Sequence, residues 1–110
     1  MRAVSGHSAE LRRYPRVRAS WRVAVEMPGG RTVNRETIDV GPHGVKVRLD
    51  ESVGAGSRVR LRFQPPDRKR LDLESIVWRN DSDGPVFVFV NMPDEDFERL
   101  KLLVDQHRGC

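Results

Sequence analysis

The stretch LRRYPRVRA, residues 11–19, sets Arg12, Arg13, Arg16 and Arg18 within one short segment. A guanidinium presents its N–H donors as a rigid fork that fits a phosphate and also the O6/N7 edge of guanine. Pro15 keeps the chain extended just before Arg16, so several forks can line a segment that wraps an anion. Alone, such a cluster is equally an electrostatic arm for RNA or an acidic membrane surface, or a solvated face. A second stretch, DVGPHG at 39–44, changes the balance. Asp39 is expected to end a strand, Gly41-Pro42-His43-Gly44 to turn, and Val45 to open the next strand. A carboxylate there can accept from the N1–H and N2–H donors of guanine, the edge that arginine leaves unused. Gly44 is expected to supply the positive φ of a tight connection. By itself this stretch is a plain hairpin turn with an aspartate at its head; the pair of stretches is more specific than either.

Catalytic chemistry has little support. His7, His43 and His107 are scattered, without the spacing of zinc ligands. No nucleophile elbow occurs, and no glycine loop followed by lysine. Glu36 and Asp39 are expected to be surface charges rather than an acid/base pair. The expectation is therefore a non-enzyme with no cofactor and no metal. NDS at 80–82 matches a glycosylation sequon, but the N-terminus MRAVSGHSAE has no apolar h-region of a signal peptide, so the match reads as chance. Cys110 is the sole cysteine, which excludes a disulfide framework within the chain and fits the cytoplasm. No apolar run is long enough to span a bilayer. The net charge of +4 is local: Arg12, Arg13, Arg16, Arg18 and Arg22 face only Glu10 in that stretch, and that is where an anion is drawn.

The elements that must hold these residues are strands. With 110 residues the chain fits one domain with a modest core: a disordered lead-in over 1–9 and a folded unit over 10–108. Trp21, Val23, Val25 and Met27 alternate, as do Val45, Val47 and Leu49. Val59, Leu61 and Phe63 alternate with outward Arg58, Arg60 and Arg62. Turn signals separate the runs: PGG at 28–30, GPHG at 41–44, GAGS at 54–57, QPPD at 64–67 and NDSDG at 80–84. With RETIDV, RLDLESIVW and PVFVFVNM this predicts a mostly β fold, a six-stranded antiparallel barrel. PVFVFV is apolar on both faces, so one face is expected to lie under a covering element. DEDFERLKLLVDQH supplies it, with Phe97, Leu100, Leu103, Val104 and His107 at helical spacing and acids in the first turn. Arg108 and Gly109 read as its stop.

The paired stretches make the chain resemble the PilZ family, bacterial domains that bind cyclic di-GMP. RRYPR supplies Arg12 and Arg16 for that family's RxxxR motif, and DVGPHG supplies Asp39 and Gly44 for its D/N-x-S-x-x-G motif. IVWRN and PVFVFVNM are similar to its closing strands. The resemblance implies that Arg12 and Arg16 grip phosphates and guanine edges. It also implies that Asp39 and its turn surround a guanine, and that Arg13 adds a phosphate contact or helps bind a second ligand. Trp78 is a candidate to stack on a base and equally a barrel-rim residue. Gly41 departs from the family's serine. A neutral hydroxyl bond contributes about 0.5–1.5 kcal/mol and a mid-turn glycine adds up to about 1 kcal/mol of ordering cost. Together these imply binding weakened by roughly one order of magnitude.

The resulting expectation is a cytoplasmic cyclic di-GMP sensor whose arginine segment orders on binding and signals to an unidentified protein partner, in motility or biofilm control. The alternatives are a degenerate PilZ module that acts by protein contact without nucleotide, and a basic nucleic-acid-binding barrel. The latter is disfavoured because one Tyr, two Trp and four Phe leave few stacking platforms.

Overall fold

The computed structural model describes residues 16–51 and 53–108. Arg12, Arg13, the lead-in over 1–9 and Gly109 lie outside the described residues, as does the side chain of His107. Among the described residues seven strands precede one helix: β1 (Val17–Arg18), β2 (Arg22–Glu26), β3 (Thr32–Val40), β4 (Gly44–Val47), β5 (Arg58–Gln64), β6 (Leu71–Asp81), β7 (Gly84–Phe89) and α1 (Asp94–Arg108). All pairings are antiparallel. The order β3-β2-β5-β6-β7-β4 closes on itself through β3–β4, giving a six-stranded barrel.

The additional strand, β1, continues the line of β2. Arg18 stands opposite Asp39 and Arg22 opposite Glu36, so the register slips by one residue between them. One strand is thus broken across Ala19–Trp21. Thr37, buried in β3, fills the break: its hydroxyl accepts from the Trp21 N–H at 2.8 Å and donates to the Ala19 carbonyl. Buried backbone groups that lose their ladder partners need such substitutes.

The period-two pattern decides which side chains point in. Trp21, Val23, Val25 and Met27 are buried, as are Val45, Val47 and Leu49, and Val59, Leu61 and Phe63. On the outside Arg60 meets Asp72 at 2.9 Å and Arg58 meets Glu74 at 3.1 Å. Such exposed pairs are screened by water and contribute little. The barrel's stability therefore rests on the apolar interior, where Phe63 packs edge-on against Trp21 and Phe89 at centroid distances of 6.4 and 6.0 Å.

α1 does not lie over the outer face of β7, as its sequence suggested. It crosses the rim that holds β1, the Gly41–Gly44 turn and the loop over 65–70. Leu100, Leu103 and Val104 enter the same apolar cluster as Trp21, Phe63 and Phe89. The ring of Phe97 lies 5.1 Å from that of His43, and Arg99 bonds Asp67 at 2.8 and 3.0 Å. The physical reason is that the outer face of β7 leaves little apolar surface to cover. That face shows only Val86 and Val88, already buried among Lys46, Gly44, Ile76 and Arg79 on the flanking strands.

Candidate functional site

The broken strand delivers Arg16 to the end of β3. Arg16 Nε lies 2.9 Å from Asp39 Oδ1, with side chains 29% and 19% exposed. The contact joins opposite charges, yet Asp39 Oδ1 is buried and has no aligned hydrogen bond. A buried carboxylate oxygen in that condition is an acceptor waiting for donors. Arg18, opposite Asp39 on β1, is exposed.

The turn after β3 is built around Arg16. Gly41 N–H donates to the Gly44 carbonyl at 2.9 Å. A Cβ on Gly41 would come within 2.8 Å of Arg16 Cγ and 3.4 Å of its Cα. Glycine at 41 therefore provides the space in which the arginine stem lies across the turn. The expectation for Gly44 needs correction, because it has no positive φ. It is the first residue of β4, paired with Val88, and a Cβ there would stand 2.5 Å from the Phe87 carbonyl oxygen. Close approach of β7's backbone, not turn geometry, requires glycine at 44.

Beyond Asp39 the outer face of the barrel continues through a ladder row: Asp39 opposite Lys46, Lys46 opposite Val86, Val86 opposite Arg79. Lys46 Nζ holds Asp81 at 3.0 Å and Asp83 at 3.1 Å, and Arg79 holds Asp81 at 2.9 Å. The Asp81 bond, then the Asp83 bond, raises the Lys46 pKa. The Arg79 and Lys46 bonds lower that of Asp81. These charges are committed to one another, which leaves Arg16 and Arg18 as the cations beside Asp39. Trp78 sits at the bulge between Val77 and Arg79 in β6, not at a strand end as expected, and is 46% exposed. It lies three strand spacings, roughly 14 Å, from β3.

Arg16, Asp39, Gly41 and Gly44 are thus brought together, and Trp78 stands on the far side of the same face. Sequence reasoning missed Thr37 and Lys46. Thr37 carried a signal, a hydroxyl at an inward position of an alternating strand, which needs buried partners. Lys46 had none short of the β4–β7 register. Among the described residues no three His, Cys, Asp or Glu gather as metal ligands, and no helix is long and apolar enough to cross a membrane.

Comparison with known proteins returns the same fold. The inhibitor of motility of Bacillus subtilis (MotI/DgrA) superposes with a TM-score of 0.75 at 19% identity, covering 86% of this chain and 49% of its own. The chain thus spans about half the length of MotI. The PilZ domain of CeSA from a cellulose-synthesizing bacterium gives 0.68 at 20% identity, covering 86% and 98%. The PilZ domain of Escherichia coli YcgR, solved with cyclic di-GMP, gives 0.68 at 12% identity, covering 88% and 92%. A search of curated proteins returns no significant match. The family model for the PilZ domain, a ligand-binding and adaptor domain rather than a typical enzyme, matches residues 10–106. A closed barrel, Arg16 laid against an aspartate-headed turn and that match together place this chain in the PilZ domain family.

Proposed function

We propose that this domain binds cyclic di-GMP where Arg16 meets the Asp39–Gly44 turn, and that the bound state is passed to a protein partner in the bacterial cytoplasm without catalysis. The observation that carries the reading is the Arg16–Asp39 contact at 2.9 Å, made to a carboxylate whose Oδ1 is buried and lacks an aligned hydrogen bond. A guanine edge supplies two N–H donors to that carboxylate. Arg16 then turns its fork to the opposite edge or to phosphate, with Arg12 and Arg13 adding contacts from the preceding segment. Binding on this account exchanges an internal ion pair for a ligand-bridged one. Trp78 offers a stacking surface to the second base of a dinucleotide that spans the ladder row.

Calorimetric titration with cyclic di-GMP on the wild type, Arg16→Ala and Asp39→Asn tests the proposal. The wild type is expected to saturate, and each variant to bind at least about tenfold more weakly, since a hydrogen bond to a charged group contributes about 1.5–3 kcal/mol. Equal affinities across the three proteins, or no heat from the wild type, would reject it. A second reading is a module that acts by protein contact without nucleotide. It is favoured by Gly41 in the family's serine position. It predicts that cyclic di-GMP leaves the melting temperature unmoved.

A further inference from the structure

A second feature lies on the barrel wall formed by β3, β2 and β5. There a hollow of about 620 Å³ is lined by Arg22, Arg35, Arg62 and Arg70, with Asn34 and Gln64 between them and Glu36 as the one carboxylate. Its floor is the β2 wall at Val23 and Ala24. A second hollow adjoins it through Gln64 and Arg70 and adds Arg68. Arg62 reaches Glu26 and Asp72 only at 3.9 and 3.6 Å, and Arg22, Arg68 and Arg70 make no ion pair among the described residues. None of these residues belongs to the Arg16–Gly44 site. Glu36 stands three residues along β3 from Asp39, roughly 10 Å away.

The basic loop is held in place. Arg99 of α1 grips Asp67 with two nitrogens and also donates to the Lys69 carbonyl, which fixes Arg68 and Arg70 on either side. Arg68 itself has a φ of 66°, a conformation uncommon for a residue other than glycine. Its N–H closes the turn on the Pro65 carbonyl at 2.9 Å, and the Lys69 N–H donates to Asp67 at 3.1 Å. Arg68 lines the adjoining hollow.

We propose that this trough docks an extended acidic segment of a partner protein. Guanidinium forks suit carboxylates spaced along a chain, and the Asn34 and Gln64 amides can pair with a peptide backbone between them. β2 is paired on both sides, so a partner cannot add as a strand and must be held by side chains. A single-stranded nucleic acid fits less well, because no aromatic side chain lines either hollow to stack a base. A concave trough also presents fewer of its arginines to a flat lipid surface than to a chain that enters it.

Fluorescence anisotropy with a labelled oligo-glutamate peptide tests this. It is run beside an oligo-dT of matched charge and vesicles of phosphatidylcholine with phosphatidylglycerol. Arg22→Glu combined with Arg70→Glu is expected to weaken peptide binding by on the order of a hundredfold, about tenfold per fork lost. Arg58→Glu, an equal charge change per residue at the other end of β5, should alter it less than about threefold. Should the reversal variant fail to fold, Arg22→Gln with Arg70→Gln is read by amide chemical shifts, which should lose their perturbation along β2, β3 and β5. Equal sensitivity to Arg58→Glu would mean diffuse charge and overturn the proposal. Tighter binding of oligo-dT or of the vesicles, abolished by the same trough variants, would also overturn it. Asp39→Asn should leave peptide binding unchanged, which separates this surface from the nucleotide site.

Discussion

Two glycines in one turn do different work. At 44 an added Cβ meets backbone, the Phe87 carbonyl at 2.5 Å, which cannot step aside without parting β4 from β7. Gly44→Ala is expected to destabilise the domain by at least about 2 kcal/mol, the scale of an overpacked interior site, in a urea titration. At 41 an added Cβ meets Arg16 Cγ, the stem of a side chain that can swing. Gly41→Ser should displace Arg16 from Asp39, remove a contact that competes with ligand and add a hydroxyl. The expected result is cyclic di-GMP binding tightened by up to about tenfold; unchanged or weaker affinity in the titration would refute this account of the turn. Thr37 offers a third test. Thr37→Val keeps the volume but orphans the Trp21 N–H and Ala19 carbonyl, at about 1–3 kcal/mol. Because that hydroxyl fixes the break that aims Arg16, cyclic di-GMP affinity should fall with it.

Among the elements, the strands were legible from alternation alone, because a closed barrel buries every second residue and the arginines of β5 mark the outer face. The candidate site was legible wherever a residue type carried its own chemistry, as with the meeting of Arg16 and Asp39. Three things were not. β1 is a two-residue continuation of β2, too short for a periodic signal. The reason for Gly44 depends on a strand more than forty residues downstream. The position of α1 is decided by the barrel mouth, whose apolar area no local pattern records. The link from α1 to the loop over 65–70 makes a pH prediction at this scale. Arg99 holds the Asp67 pKa below the usual carboxylate range, against the opposing effect of burial, and the Lys69 backbone N–H adds to the lowering. The native state thus binds fewer protons than the unfolded chain at mildly acid pH. The pair's contribution is present above the unfolded Asp pKa of about 3.9 and is lost as pH falls through the lower folded value. Asp67→Asn should therefore lower the melting temperature near neutrality by a degree or a few, since a partly exposed pair contributes about 1 kcal/mol or less. Thermal scans of the two proteins should converge below about pH 3; a gap that persists there would assign the effect to packing instead of charge.

For the whole molecule, the barrel places two basic surfaces side by side, one headed by a buried carboxylate and one with four arginines against a single glutamate. On the functions proposed for them, the first selects a ligand that both accepts and donates, and the second takes a chain of carboxylates that fits. Since α1 touches the ligand turn through Phe97 and His43 and the basic loop through Arg99, both surfaces bear on one rigid element. Ligand at either surface should stabilise the fold as a unit. A ligand bound only by the native state adds about 2.7 kcal/mol at a hundredfold excess over Kd. In a domain of this size each kcal/mol moves the melting temperature by about 4–8 °C. Saturating cyclic di-GMP is thus expected to raise the midpoint by on the order of 10 °C, in a single transition. Asp39→Asn should remove most of that rise while leaving intact the rise given by an acidic peptide. If cyclic di-GMP stabilised the Asp39→Asn protein as much as the wild type, the nucleotide would be binding by charge alone, and the carboxylate on the barrel rim would have no part in recognition.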